Sequence, residues 1–196
     1  MKLQSYFITS PSLYENNSVL GFSENLKNIS SSYHIDKACF RDTMIFSNDL
    51  IDIFAKWCKK NKIQSFINLK NTETSIELAK IYNIQGIHIK GTNLHTIKKA
   101  LDEKLSVFYS SHCANEAQKA IDAGVNFITL SPIFNTPNKG KPLGIEYLQG
   151  LSPIIKNSLF ALGGIICQDQ VSQIESTGVK GFASIRYFQN IKNAKR

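Results

Sequence analysis

Residues 106–131, SVFYSSHCANEAQKAIDAGVNFITLS, hold the pattern on which the fold turns. Ser106–Ser110 is a short run of β-branched and aromatic residues and reads as a strand. ANEAQKAIDAG follows with helical spacing and ends on Gly124, where a left-handed helix cap is wanted. Phe127–Ser131 is then a second strand. Strands alternating with helices imply a parallel sheet, because parallel neighbours need a helical crossover.

The same alternation extends in both directions. Leu3–Thr9, Ala38–Arg41, Ile63–Asn68, Gly86–Ile89, Leu159–Leu162 and Gly181–Ile185 are further strand-like runs. They are continuously apolar, as strands buried on both faces are. The clearest helix is SNDLIDIFAKWCKKNK, where Leu50, Ile51, Phe54 and Trp57 share a face. Ser47 suits its N-cap, and Lys59, Lys60 and Lys62 suit the negative end of its dipole. TETSIELAKIYN, NLHTIKKALDEK, GIEYLQGLSPIIKN, QDQVSQIESTG, which ends on Gly178 at a second cap position, and the tail YFQNIKNAKR complete the helical segments. About eight strand-then-helix units predict a single-domain (β/α)8 barrel spanning residues 1–196. A doubly wound open sheet is the competing architecture, but no G-x-G-x-x-G follows the first strand.

Composition narrows the class. The chain is 42% hydrophobic and 19% charged over 196 residues, richer in apolar residues than disordered chains. No apolar run reaches the roughly 18 residues that span a bilayer. MKLQSYFITSPSLY has no basic segment followed by a long apolar one, so it reads as a first strand rather than a secretory signal. Cys39, Cys58, Cys113 and Cys167 contain no C-x-x-C pair, which points to a reducing cytoplasm. The net charge of +8 leaves nucleic acid, an anionic membrane surface, phosphorylated small molecules or a mere compositional habit all open.

A barrel builds its site from strand ends and the loops after them. After strand seven, Gly163 and Gly164 allow close backbone approach, and Ser184 ends strand eight. Loops seven and eight commonly hold phosphate. The loop after strand six, SPIFNTPNKGKPLG, is polar and cationic, with Thr136, Asn138, Lys139 and Lys141. Ser110 and His112 end strand five, and a histidine there can move protons near neutral pH. Strand two ends in ACFRDT, whose Arg41 could clasp phosphate or simply form a surface ion pair. Cys39 reads as a small core residue. Strand three offers Asn68 and strand four His88, the latter inside an apolar run and read as a satisfied barrel histidine. Asp42 is almost alone as a strand-end carboxylate, so the mouth has little to hold magnesium.

SSHCANEAQKAIDAGVNFITLSPIFNTPNKGKPLGIEYL, followed by ALGGI, resembles the thiamine phosphate synthases and their relatives the thiazole tautomerases. The likeness runs from FITS in strand one to FASIRYF in strand eight. It implies that Lys139, Thr136 and Ser110 meet phosphate or pyrophosphate, and that Gly164 and Ser184 belong to a thiazole phosphate site. Arg41 falls on the arginine of Q-x-R-x-K and Asn68 on the asparagine of N-D. Departures accompany it: Cys39 and Thr43 replace that motif's glutamine and lysine, while Leu69 and Asn93 replace two magnesium-holding aspartates.

Loss of both carboxylates argues against the metal-assisted synthase reaction. The resemblance therefore favours a tautomerase with no cofactor, in which His112 shifts a proton on a carboxylated thiazole phosphate. Gly163, Gly164 and Ser184 would hold its phosphate, with Lys139 near the anionic end. A divergent synthase using magnesium to join a pyrimidine pyrophosphate to thiazole phosphate, and a non-catalytic phosphate-ligand binder, remain the alternatives. The expected partner is thus a phosphorylated thiazole or pyrimidine, with neither nucleic acid nor membrane. The oligomeric state stays open, a homo-oligomer included.

Overall fold

A computed structural model describes residues 2–15, 18–42, 47–91 and 95–190. Eight parallel strands follow one another around a closed barrel: β1 (Gln4–Ile8), β2 (Lys37–Arg41), β3 (Gln64–Asn68), β4 (Gly86–Ile89), β5 (Ser106–Ser111), β6 (Phe127–Leu130), β7 (Leu159–Leu162) and β8 (Gly181–Ser184). The circle closes where β1 pairs with β8, Gln4 opposite Gly181 through Phe7 opposite Ser184. That pairing rules out the open sheet.

The helices between them are α1 (Val19–Ser32), α2 (Asn48–Asn61), α3 (Thr72–Ile81), α4 (His95–Asp102), α5 (Ala114–Asp122), α6 (Ile145–Gln149), α7 (Pro153–Lys156), α8 (Gln168–Glu175) and α9 (Arg186–Gln189). Several local signals act as expected. Ser47 accepts the Asp49 N–H at the start of α2. Gly124 and Gly178 adopt positive φ, 91° and 75°, after α5 and α8.

Strand ends shift by a residue from the sequence reading in several places, and three differences have a clear physical reason. The helix α1 was not expected; its Phe22, Leu26 and Ile29 face the core, but polar residues separate them and hide the stripe. The segment GIEYLQGLSPIIKN is two short helices rather than one. Gly150 weakens the first, and Pro153, lacking an N–H, opens the second behind a Ser152 cap. Strand β8 stops at Ser184, because Ile185 turns into α9. Residues 191–196 of the expected tail helix lie outside the described residues.

Period-two alternation splits the strands between two cores. Outward residues such as Phe40, Ile67, Ile87 and Ile128 pack under the helices. Inward residues Tyr6, Ile8, Cys39, Phe66, Phe108, Phe160 and Ala183 fill the barrel. Their rings interlock: Tyr6 stacks on Phe108 at 4.1 Å, and Phe66 and Phe160 meet Phe108 edge-on at 4.8 and 5.1 Å. Gly86 and Gly181 leave room for Phe66 and Phe160, which a Cβ at either glycine would strike. This aromatic plug closes the lower barrel and leaves the strand C-termini as the place for chemistry. Among the described residues no helix is long and apolar enough to cross a membrane.

Candidate active site

The polar residues directly above the plug come from β2 to β6. Arg41 ends β2 opposite Asn68, which ends β3. Its main-chain N–H donates to Thr9 Oγ1 at 2.9 Å, which pins the strand end. Two residues below it, Cys39 is fully buried, and burial pushes its thiol up to about 12. A thiol so held is a packing residue, not a nucleophile. Asn68 is 4% exposed, and its buried Oδ1 has no hydrogen-bond partner among the described residues. An unpaired buried carbonyl oxygen calls for a donor, which a ligand can bring.

His88 in β4 is 6% exposed and lies between two hydroxyls. Its Nδ1 is 3.1 Å from Tyr6 Oη and its Nε2 is 3.0 Å from Ser110 Oγ. Burial, helped by the Arg41 charge, pushes its pKa down to about 3, so the ring is neutral in ordinary buffers. The satisfied-histidine reading of the sequence therefore agrees with its surroundings. Two partners escaped that reading. Tyr6 and Thr129, the latter 3.5 Å from His88 Nε2, share the inward parity of Cys39, Phe108 and Ser110, and that alternation was the available signal.

His112 lies two residues beyond Ser110, on the exposed rim. Its Nδ1 is 3.0 Å from the Ser131 carbonyl. A carbonyl only accepts, so Nδ1 carries a proton, and in the neutral ring Nε2 keeps its lone pair. The Glu116 carboxylate accepts the His112 main-chain N–H at 2.7 Å, so Glu116 serves the start of α5.

The loop after β6 returns over the end of β7. Ile133 N–H donates to the Leu162 carbonyl and Phe134 N–H to the Gly163 carbonyl, at 2.9 and 3.0 Å. Gly163 and Gly164 have φ of 99° and 74°. A Cβ on Gly163 would come 2.8 Å from Pro132 Cα, and one on Gly164 would come 2.6 Å from the Asn135 carbonyl oxygen. The glycine pair thus accommodates the loop as well as any ligand. Neither glycine N–H has an acceptor among the described residues. Within the loop, Thr136 Oγ1 donates to the Phe134 carbonyl, and the Lys139 N–H donates to the Thr136 carbonyl. That turn carries Lys139 on an exposed arm.

Ser184 differs in kind from the others. It is 4% exposed, donates to the Ile165 carbonyl at 2.8 Å and accepts the Tyr187 N–H at 3.1 Å. Its hydroxyl joins the β7 loop to α9, leaving main-chain groups rather than Oγ to meet a ligand there.

A profile of the thiamine monophosphate synthase family matches residues 6–188, from within β1 to α9. The chain belongs to that family. Thiamine-phosphate synthases from Prochlorococcus marinus and Lactococcus lactis are both 28% identical to it, over 140 and 127 residues. These stretches are 69% and 62% of this chain but only 40% and 57% of those relatives, so the likeness covers about half of each. The thiamine phosphate pyrophosphorylase of Pyrococcus furiosus has the same fold, with a TM-score of 0.76 at 17% identity, covering 98% of this chain and 93% of that one.

This mouth is short of acids among the described residues. Leu69 is 4% exposed and packed in the layer between barrel and helices, with its N–H on Ser75 Oγ. Asp42 is 2% exposed and accepts the Tyr14 hydroxyl at 2.9 Å. Among the described residues no three His, Cys, Asp or Glu side chains lie together as a metal site. Among the described residues the donor set fits a magnesium ion poorly: it offers one neutral amide oxygen at Asn68 and a carboxylate already engaged by Tyr14. Thr43 and Asn93 lie outside the described residues.

Proposed function

We propose that this member of the family is a metal-independent isomerase that moves a proton on a carboxylated thiazole phosphate, making the aromatic tautomer. The observation that carries this reading is the His112 contact to Ser131, which leaves Nε2 as an open base on the rim beside Ser110. In the reaction Nε2 takes a proton from one carbon of the substrate and returns one to another, so none is gained or lost. The phosphate would lie at the free N–H groups of Gly163 and Gly164, with Thr136 and Lys139 on the loop above. Arg41 and Asn68 would face the opposite end of the ligand. Ser184 supports this pocket through the backbone it ties together.

The test is conversion of the non-aromatic tautomer by purified protein, followed by the absorbance of the aromatic thiazole. Wild type should accelerate it, and His112→Ala should lower kcat by roughly 10²–10⁴ while leaving ligand affinity near normal. No acceleration, or an unimpaired His112→Ala variant, refutes the reading.

The synthase reading has its own support, because the two sequence relatives above are called thiamine-phosphate synthases. Magnesium-dependent formation of thiamine phosphate from hydroxymethylpyrimidine pyrophosphate and thiazole phosphate, lost in Lys139→Ala, would replace the first proposal with this one. Tight binding of either phosphate without turnover would instead leave a binding protein.

A further inference from the structure

The buried His88 has no task in the proton shift, yet it sits under the site in a defined hydrogen-bond chain. Its surroundings settle which way each proton points. Tyr6 is fully buried, and its hydroxyl has two acceptors in reach: His88 Nδ1 at 3.1 Å and the Cys39 sulfur. An imidazole nitrogen is the stronger acceptor, and sulfur a weak one. The Tyr6 O–H therefore donates to Nδ1, and a neutral ring then carries its proton on Nε2. That N–H points at Ser110 Oγ, 3.0 Å away, with Thr129 Oγ1 at the limit of reach, 3.5 Å. Ser110 receives a hydrogen bond from below, and its own O–H is left to donate upward. Ser110 is half-buried, and its hydroxyl meets His88 among the described side chains.

The groups around the ring keep it neutral. Tyr6 faces it from β1, Cys39 and Arg41 from β2, Ser110 and the Phe108 ring from β5, and Thr129 from β6. None of these is a carboxylate, and the Arg41 cation acts on the ring to oppose protonation.

We propose that Tyr6 and His88 are positioning residues that hold the Ser110 hydroxyl as a donor to the substrate's carboxylate. Ser110 stands two residues from His112, so a group it binds is anchored beside the carbon that His112 would work on. The Arg41 charge lies close enough to act on His88 and can share the same carboxylate. A fixed donor selects against a ligand that lacks the carboxylate, because Ser110 then has nothing to meet. This inference rests on the thiazole phosphate reading above and adds the means by which the carboxylated form is chosen.

Two measurements test it. The first is long-range ¹H–¹⁵N NMR of the imidazoles in wild-type protein between pH 5 and 8, which needs no ligand. His88 should show a proton on Nε2, none on Nδ1, and no titration. A proton on Nδ1, or a titration in that range, overturns the proposal. The second is calorimetric binding of the aromatic carboxylated thiazole phosphate and of thiazole phosphate without the carboxylate. Wild type should prefer the carboxylated ligand by on the order of tenfold, the worth of one hydrogen bond to a charged group.

Tyr6→Phe keeps the ring that stacks on Phe108 and removes only the hydroxyl. It and Ser110→Ala should each reduce the preference to about twofold or less, and the double variant should do no worse than either. A full preference in Tyr6→Phe, or additive losses in the double variant, overturns the role of the relay. If wild type binds neither ligand, the thiazole phosphate reading falls and takes the relay's recognition role with it. If it binds both equally while His112→Ala still abolishes conversion, that reading stands and only the relay falls.

Discussion

Gly164 shows how one residue can be committed to backbone geometry. Its φ of 74° is open to glycine, and its missing Cβ makes room for the Asn135 carbonyl. Gly164→Ala should lose at least about 1–2 kcal/mol for the left-handed conformation alone, read from urea unfolding. It should also displace the loop after β6, so its ligand affinity should fall more than its stability. An alanine variant as stable as wild type would mean that the loop yields freely. His112 is the opposite case. Its ring is exposed and its role follows from a single hydrogen bond to Ser131, so replacing it should leave stability almost untouched.

At the scale of elements, the loop after β6 and helix α1 carry different lessons. The loop is long but not slack: Leu143 N–H returns to the Pro132 carbonyl and Gly144 N–H to the Ile133 carbonyl, closing its base. The arm around Lys139 is left in solvent. Helix α1 is held at its start by Ser18, whose Oγ accepts the Gly21 N–H at 3.1 Å. Ser18→Ala should lower stability by about 1 kcal/mol. Faster amide exchange at Gly21 would locate that loss at the helix start, whereas unchanged exchange would show the cap to be idle.

Across the whole molecule, the buried histidine links stability to pH. The unfolded chain binds the His88 proton near pH 6.5, and the folded chain binds it only near pH 3. Between those values the unfolded state holds more protons, so stability rises with pH. The contribution is complete above about pH 6.5 and is lost as pH falls toward 3, with a slope of up to about 1.4 kcal/mol per unit. Unfolding curves of wild type and His88→Gln from pH 7 to 4 should diverge by that slope. Parallel curves would mean that His88 titrates alike in both states.

The sequence by itself determined the architecture. Eight apolar runs separated by helical segments leave a closed parallel barrel as the arrangement that buries both faces of every strand, and strand bounds such as Gly86–Ile89 and Leu159–Leu162 were legible to the residue. Capping chemistry at Ser47, Gly124 and Gly178 was legible for the same reason, since it depends on residues close in the chain. Helix α1 was less so, because its stripe is thin among polar residues. What only the tertiary structure decided is the direction of protons and the use of each polar group. Ser110 and His88 are 22 residues apart, and Tyr6 and His88 are 82 apart, so no local pattern pairs them. At Ser184, where the resemblance implies a phosphate contact, packing engages the hydroxyl with Ile165 and Tyr187. Local propensity acts through near neighbours, whereas a hydrogen bond across a barrel exists only once closure has brought distant strands to the same side.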